Sequence, residues 1–374
     1  MESRREFLQT IAATTAAGLV AADGVVNTNS AAAAQGDGVQ AVPVVHPPEP
    51  PQGRLKDFWA GTVKELVSIP MPNLKPGEIE RHSIYCGMLS GLLTHYWNGN
   101  KRGKNGTYPW RKKQALPNGQ YQGGDYLGHN IACLAVDGTG EVIDFDFNHN
   151  EIFNSSVEHA ESRLVRRIFS LAQLNNGWEV KGFMAPGVAT SYSNILADVT
   201  IYTSLESCSQ CSGIMALGSV KEVVFLQRDP GQNSIGNILR QLSPENSTFK
   251  APLPIPADAL GFAGFKKLSD AYDEFVKGVK DVPSQAFFIP NSGTPDTSSS
   301  ITSFLCNDAA LDIFAQAKKE FDALGVLTVP DYVPLNASGM PIPKALTNQE
   351  VLAHTRAFLA YAVTEGKRGT PHQL

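Results

Sequence analysis

The sequence predicts an α/β fold in which helices cover a layered β-sheet. Of 374 residues, 42% are hydrophobic and 18% are charged, so the chain can bury a sizeable core. Between residues 128 and 242 the predicted elements follow the order β-β-α-β-α-β-α, which is typical of a sheet with helices packed on it. The length is sufficient for one large domain or two ordinary ones.

The first residues resemble an export signal and not a folded segment. Arg4 and Arg5 are followed by Phe7-Leu8 and by a weakly hydrophobic, Ala-rich run, a pattern typical of a twin-arginine signal. We expect a signal at residues 1–34, a periplasmic or secreted protein, and no membrane attachment after signal removal. The alternative is a chance arginine pair at a disordered terminus. A Pro-rich linker is predicted at 35–75.

Hydrophobic periodicity and turn residues predict the elements that follow. Apolar spacing predicts a helix at 78–97, and Asp137-Gly138 marks a hairpin between strands at 128–136 and 141–147. Three prolines, Pro252, Pro254 and Pro256, predict a loop. The other predicted helices are 159–171, 208–217, 233–242, 265–279, 309–324 and 348–364, and the other strands are 199–202 and 222–226.

A basic segment at residues 101–113 combines six Lys and Arg residues with Tyr108 and Trp110. One interpretation is a contact with polynucleotide, because aromatic rings stack on bases and cations bind phosphate. The other is a solvated surface loop, which is the usual fate of a charge run. The net charge of −5 shows no global basic excess, so the composition does not favour a nucleic-acid partner.

Two short motifs supply the residue types of a zinc site. Cys208 and Cys211 are three residues apart at a predicted helix start, where they share a face and where free N–H groups stabilise thiolates. His159 also begins a predicted helix, so these three side chains could bind zinc and leave a position for water. Glu161, two residues further on, would carry protons. A disulfide or redox pair is the alternative for the cysteines, but it leaves His159 and Glu161 unexplained.

These motifs give the chain a resemblance to the cytidine deaminase-like superfamily, the zinc-dependent nucleobase and nucleoside deaminases. The sequence most resembles the tRNA adenosine deaminase and guanine deaminase branch, which has Thr-Leu-Glu-Pro-Cys-x-x-Cys-x-Gly and then Val-Val-Phe-x-x-Arg-Asp. The corresponding segments here are 204–213, Ser-Leu-Glu-Ser-Cys-Ser-Gln-Cys-Ser-Gly, and 223–229, Val-Val-Phe-Leu-Gln-Arg-Asp. The resemblance implies a three-layer fold with a mixed five-stranded sheet, and a zinc deaminase domain at 76–245.

The resemblance also implies a site and an activity. Zn²⁺ would be held by His159, Cys208 and Cys211, and Asn148, which lies 11 residues before His159, would bind substrate; a plain turn residue is the alternative for Asn148. The implied reaction is hydrolytic release of ammonia from a nucleobase or nucleoside, with zinc-bound hydroxide as nucleophile and Glu161 as proton shuttle. The partner is then a small molecule, and a homodimer is a possible assembly.

Two alternatives stay open at this point. The chain could be a polynucleotide deaminase that uses the segment 101–113, or a non-catalytic binding module stabilised by zinc. The match also has departures. Ser207 replaces the proline of the branch, and 49 residues separate His159 from Cys208, with an apparent insertion at 175–194. Residues 246–374 form a predicted helical extension of unknown role.

Overall fold

The structure is a computed structural model. It describes most of the compact unit Ala60–Leu374. The described residues are 62, 65, 67–97, 114–115, 121–122, 128–150, 153, 155–176, 196–232, 234–243, 250–281, 287–288, 295–296, 299–336 and 338–365. The predicted signal at 1–34, most of the predicted linker at 35–75 and all of the basic segment 101–113 lie outside them.

A five-stranded mixed sheet forms the centre of the described fold, as predicted. Its strands are β1 (Ala132–Val136), β2 (Val142–Phe147), β3 (Thr200–Thr203), β4 (Glu222–Phe225) and β5 (Leu253–Pro256), in the order β2-β1-β3-β4-β5. Strand β1 runs antiparallel to β2 and β3, whereas β3, β4 and β5 are parallel. The carboxyl ends of the parallel strands therefore meet at one edge, which is where ligands bind in open α/β sheets.

The loop predicted from three prolines is wrong in part, because Leu253–Pro256 is strand β5 at the edge of the sheet. An interior strand donates backbone N–H hydrogen bonds to the strands on both of its sides, and proline has no N–H to donate. A strand that contains proline is therefore tolerated at an edge of the sheet. Pro254 pairs with Val223 and Pro256 with Phe225. Because prolines are rare in strands, the sequence pattern did not indicate β5.

Helices cover both faces of the sheet. Helix α1 (Pro76–His95) lies on one face, and α2 (Ala160–Asn176) and α3 (Ser209–Leu217) lie on the other. Adjacent residues of β3 show this, since successive strand side chains point to opposite faces. Tyr202 Oη lies 2.7 Å from Nδ1 of His82 on α1, whereas Thr203 Oγ1 donates to Glu161 on α2 at 3.2 Å. This is the predicted three-layer arrangement.

The remaining elements are mainly helical, as expected for the C-terminal extension. The further helices are α4 (Ile235–Leu242), α5 (Ala263–Asp281), α6 (Ile301–Phe304), α7 (Asp308–Ala323) and α8 (Asn348–Glu365). Single 3₁₀ turns occupy Pro230–Gln232 and Ala257–Leu260. Two short antiparallel ladders join Gln114–Ala115 to Tyr121–Gln122 and Phe287–Phe288 to Pro295–Asp296.

Helices α7 and α8 pack on the outer side of α1 through two glycines. A Cβ at Gly87 would lie 2.7 Å from Cβ of Phe321 on α7, and one at Gly91 would lie 2.8 Å from Cδ2 of Leu359 on α8. Such distances are far below van der Waals contact, so only glycine permits this approach. The extension therefore covers α1 and encloses it between the sheet and a further helical layer.

All five cysteines are free thiols in the structure. Cys86, Cys133 and Cys306 are fully buried, and burial raises the pKa of Cys86 and of Cys133. A buried neutral thiol behaves as a small apolar side chain. Among the described residues, no helix combines the length and the hydropathy needed to cross a membrane.

The close approach of α7 to α1 predicts that Gly87→Ala destabilises the protein. The added methyl group meets Cβ of Phe321, which cannot move without shifting the helix backbone. We expect a loss of about 1–3 kcal/mol in the free energy of unfolding, measured by urea denaturation. Gly278→Ala on α5 is the matched control, because its Cβ would meet nothing within 4 Å. Equal stability changes in the two variants would contradict the close packing.

Candidate metal centre

The structure brings the three predicted zinc ligands together. Cys208 Sγ lies 3.4 Å and Cys211 Sγ 3.7 Å from Nδ1 of His159. The possible ligand atoms of the three residues all lie within 4.8 Å of one another, and this is the only such group among the residues searched, the described ones. Residues 49 positions apart in the chain thus form one compact cluster.

Local structure explains how each side chain reaches the cluster. Cys208 has extended backbone angles and is the N-cap of α3, and Cys211 lies in the first turn of that helix. His159 immediately precedes α2, where its carbonyl accepts a hydrogen bond from Arg163 N at 3.0 Å. Two helix N-termini therefore face the same point, and their free N–H groups favour negative charge there.

The donor set and its spacing fit zinc. Tetrahedral zinc takes sulfur at about 2.3 Å and nitrogen at about 2.0–2.1 Å, which places a sulfur and a nitrogen donor roughly 3.5–3.6 Å apart. The two distances from His159 Nδ1, 3.4 and 3.7 Å, are close to this range. Three protein donors leave a fourth position, as in a catalytic zinc site and unlike a closed structural one.

The electrostatics of the cluster favour a bound cation. Interaction with the Cys211 thiol, together with His159, lowers the pKa of Cys208 to about 4. The same interaction, together with burial and the nearby Glu161 carboxylate, raises the pKa of Cys211. The thiolate is the form that binds metal.

Glu161 lies beside the cluster, buried, with 3% of its surface exposed. Its Oε2 accepts from Cys211 Sγ at 3.4 Å, and its Oε1 accepts from Thr203 Oγ1 at 3.2 Å and Ser207 Oγ at 3.1 Å. Burial raises the pKa of Glu161. A carboxyl group that adjoins the ligands without being one of them is positioned to carry protons.

The segment with these residues matches a known protein family. Residues 110–227 match the family model of the cytidine and deoxycytidylate deaminase zinc-binding region. The match spans about a third of the chain and includes all three residues of the cluster. This confirms the resemblance inferred from the sequence, over that part of the chain. No curated protein matches the chain.

Among solved structures, similarities are weak in extent. One similar structure comes from work on A-to-I editing by tRNA:A34 deaminases at the wobble position of transfer RNA. The aligned part is 20% identical, spans 34% of this chain and 82% of the other chain, and gives a TM-score of 0.24. Guanine deaminase from Nitrosomonas europaea is 19% identical, with coverages of 36% and 69% and a TM-score of 0.21. TM-scores this low carry no argument about activity.

Asn148 has a structural role beside the cluster. Its side chain is buried, and Oδ1 accepts a hydrogen bond from Ala160 N at 2.8 Å, which satisfies one of the free N–H groups at the start of α2. A contact with substrate stays a prediction. With the amide oxygen engaged, the amide nitrogen is the group that remains for such a contact.

A buried ion-pair network holds α2 against β2. Arg167 contacts Asp144 at 2.5 Å and Asp146 at 2.6 Å, and Arg163 contacts Asp146 at 3.2 Å and Glu158 at 2.6 Å. Glu158 directly precedes His159, so the network also restrains the residue that enters the cluster. Strand alternation alone places both aspartates on one face of β2, but it does not indicate their pairing with the arginines of the next helix.

Sequence reasoning also missed two hydroxyl groups at the site. Thr203 lies just beyond the strand predicted at 199–202, and the sequence marks Ser207 only as a departure from the branch pattern. Both donate to Glu161. The available signal was polar residue types immediately before the cysteine pair. Residues 177–194 of the predicted insertion and the whole segment 101–113 lie outside the described residues.

The cluster predicts that zinc content depends on its three donors. Purified protein should contain roughly one zinc per chain, and Cys208→Ser or His159→Ala should reduce this well below one, because each variant removes a donor. Metal analysis after gel filtration provides the measurement. Cys86→Ala is the control, since this buried thiol of α1 lies outside the cluster. Full zinc content in both ligand variants would place the metal elsewhere.

Proposed function

We propose that this protein is a zinc-dependent hydrolytic deaminase that releases ammonia from the exocyclic amine of a nucleobase or nucleoside. The observation that carries the proposal is the buried Glu161 carboxylate, whose Oε2 lies 3.4 Å from Cys211 Sγ in the three-donor cluster. A structural zinc site has no need of a buried acid beside it. The match to a deaminase zinc-binding region supports the same class of chemistry.

Each residue of the site would have its own role in this reaction. His159, Cys208 and Cys211 would hold the zinc ion, which lowers the pKa of water and so supplies a nucleophile at neutral pH. Glu161 would accept the proton of the attacking water and donate it to the departing nitrogen. A C–O bond forms at the amine-bearing ring carbon, the C–N bond breaks, and the amine leaves as ammonia.

Asn148 would orient the substrate. Its amide oxygen is fixed by the bond from Ala160 N, which determines the direction of the amide group. The amide nitrogen can then donate to an acceptor on the ring, such as a carbonyl oxygen or a ring nitrogen. A buried donor of this kind discriminates against rings that lack the acceptor, because it would be left unpaired.

The setting of the reaction is also part of the proposal. The arginine pair and the apolar run at residues 1–34 support export by the twin-arginine route, which carries folded proteins and suits a protein that takes up its metal before export. A small-molecule substrate fits an exported enzyme better than tRNA does. A homodimer stays a prediction.

The decisive test is ammonia release from a panel of bases, nucleosides, nucleotides and a single-stranded oligonucleotide. Glu161→Gln should keep zinc but lower the turnover number by about 10²–10⁴-fold, the usual contribution of general acid–base catalysis. Glu222→Gln is the matched control, because Glu222 is also buried but is the first residue of β4, at the end of the strand away from the cluster. Full activity of the Glu161 variant would refute the mechanism, and activity confined to the oligonucleotide would favour a polynucleotide deaminase.

A further inference from the structure

The two oxygens of Glu161 have different surroundings. Oε1 accepts hydrogen bonds from two hydroxyl groups, those of Thr203 at 3.2 Å and Ser207 at 3.1 Å. Oε2 contacts Cys211 Sγ at 3.4 Å. One oxygen is therefore bound to the end of β3 and the segment that follows it, and the other faces the metal ligands.

The two hydroxyl donors are not equivalent. The hydroxyl of Thr203 carries one hydrogen but has two acceptors within reach, Glu161 Oε1 at 3.2 Å and the carbonyl of Leu205 at 3.1 Å. Within the described part of the chain, the recorded acceptor of the Ser207 hydroxyl is Glu161 Oε1. A shared hydrogen gives a weaker bond to each acceptor, so Ser207 makes the stronger contribution to holding Oε1.

Ser207 stands where the branch that this sequence resembles has proline. A proline side chain has no donor, so that residue cannot make this bond. With serine at this position, the backbone is less restricted than with proline, but Glu161 gains a hydrogen bond. The backbone of Ser207 is also restrained by Ser212, whose Oγ donates to the carbonyl of Ser207 at 3.4 Å.

We propose that Ser207 is a positioning residue that, together with Thr203, fixes Oε1 of Glu161 so that Oε2 is the oxygen that carries the proton. This inference rests on the proposed function. A carboxylate held at one oxygen cannot exchange its two oxygens by rotation, and it presents the other in a constant direction. Proton transfer depends steeply on such geometry.

The test compares Ser207→Ala, Ser207→Thr and Ser207→Pro with the wild-type protein. The alanine variant should lower kcat on the order of tenfold, the effect of losing a hydrogen bond to a charged group, with KM and zinc content unchanged. Threonine restores the hydroxyl and should recover most of kcat, whereas proline should behave like alanine. Ser90→Ala is the matched control, a buried serine on α1 whose hydroxyl donates to the carbonyl of Cys86 at 2.9 Å and not to Glu161.

A second measurement separates this inference from the proposed function. Crystal structures of the zinc-loaded wild-type and Ser207→Ala proteins, without substrate, should show one orientation of the Glu161 carboxylate in the former and a shifted or second orientation in the latter. This readout applies even if no substrate of the panel is deaminated. An unchanged Glu161 in the variant, unchanged kcat, or loss of zinc on removal of the hydroxyl would each overturn the positioning role.

Discussion

The site depends on the meeting of two helix N-termini at one edge of the sheet. Helix α3 follows β3 in the chain and has Cys208 at its N-cap and Cys211 in its first turn. Helix α2 follows the β1–β2 hairpin, and His159 immediately precedes it. Neither helix alone offers a zinc site. The contact is secured by Gln210 Nε2, which donates to the carbonyl of Val157 at 2.9 Å, just before His159. Every chemical feature of the site follows from this convergence.

Partly buried ion pairs hold α2 against β2. Burying ions is unfavourable unless each is paired and hydrogen-bonded. Arg167 satisfies this condition with two aspartates and with the carbonyl of Phe145 at 2.7 Å. Such a network contributes little net stability compared with apolar packing, but it accepts only one register of helix on strand. We infer that its role is to set the position of His159 and Glu161.

Local patterns predicted the two cysteines of the cluster because their spacing is a local property. Cys208 and Cys211 share a helix face whatever surrounds them. Contacts between distant segments were not predictable in this way. The pairing of Arg167 with Asp144, the hydroxyl bonds to Glu161 and the packing of Gly87 against Phe321 each depend on the tertiary fold. Strand β5 was missed because its prolines contradict strand propensity and are tolerated only at an edge.

The central claim is an open zinc site with two sulfur ligands, and X-ray absorption at the zinc edge of the purified protein tests it most directly. The account predicts two sulfur atoms at about 2.3 Å and two lighter atoms at about 2.0–2.1 Å, one from His159 and one from solvent. A shell of four sulfurs would indicate a closed structural site. A shell of nitrogen and oxygen alone would show that Cys208 and Cys211 do not bind the metal, and either result would contradict the account.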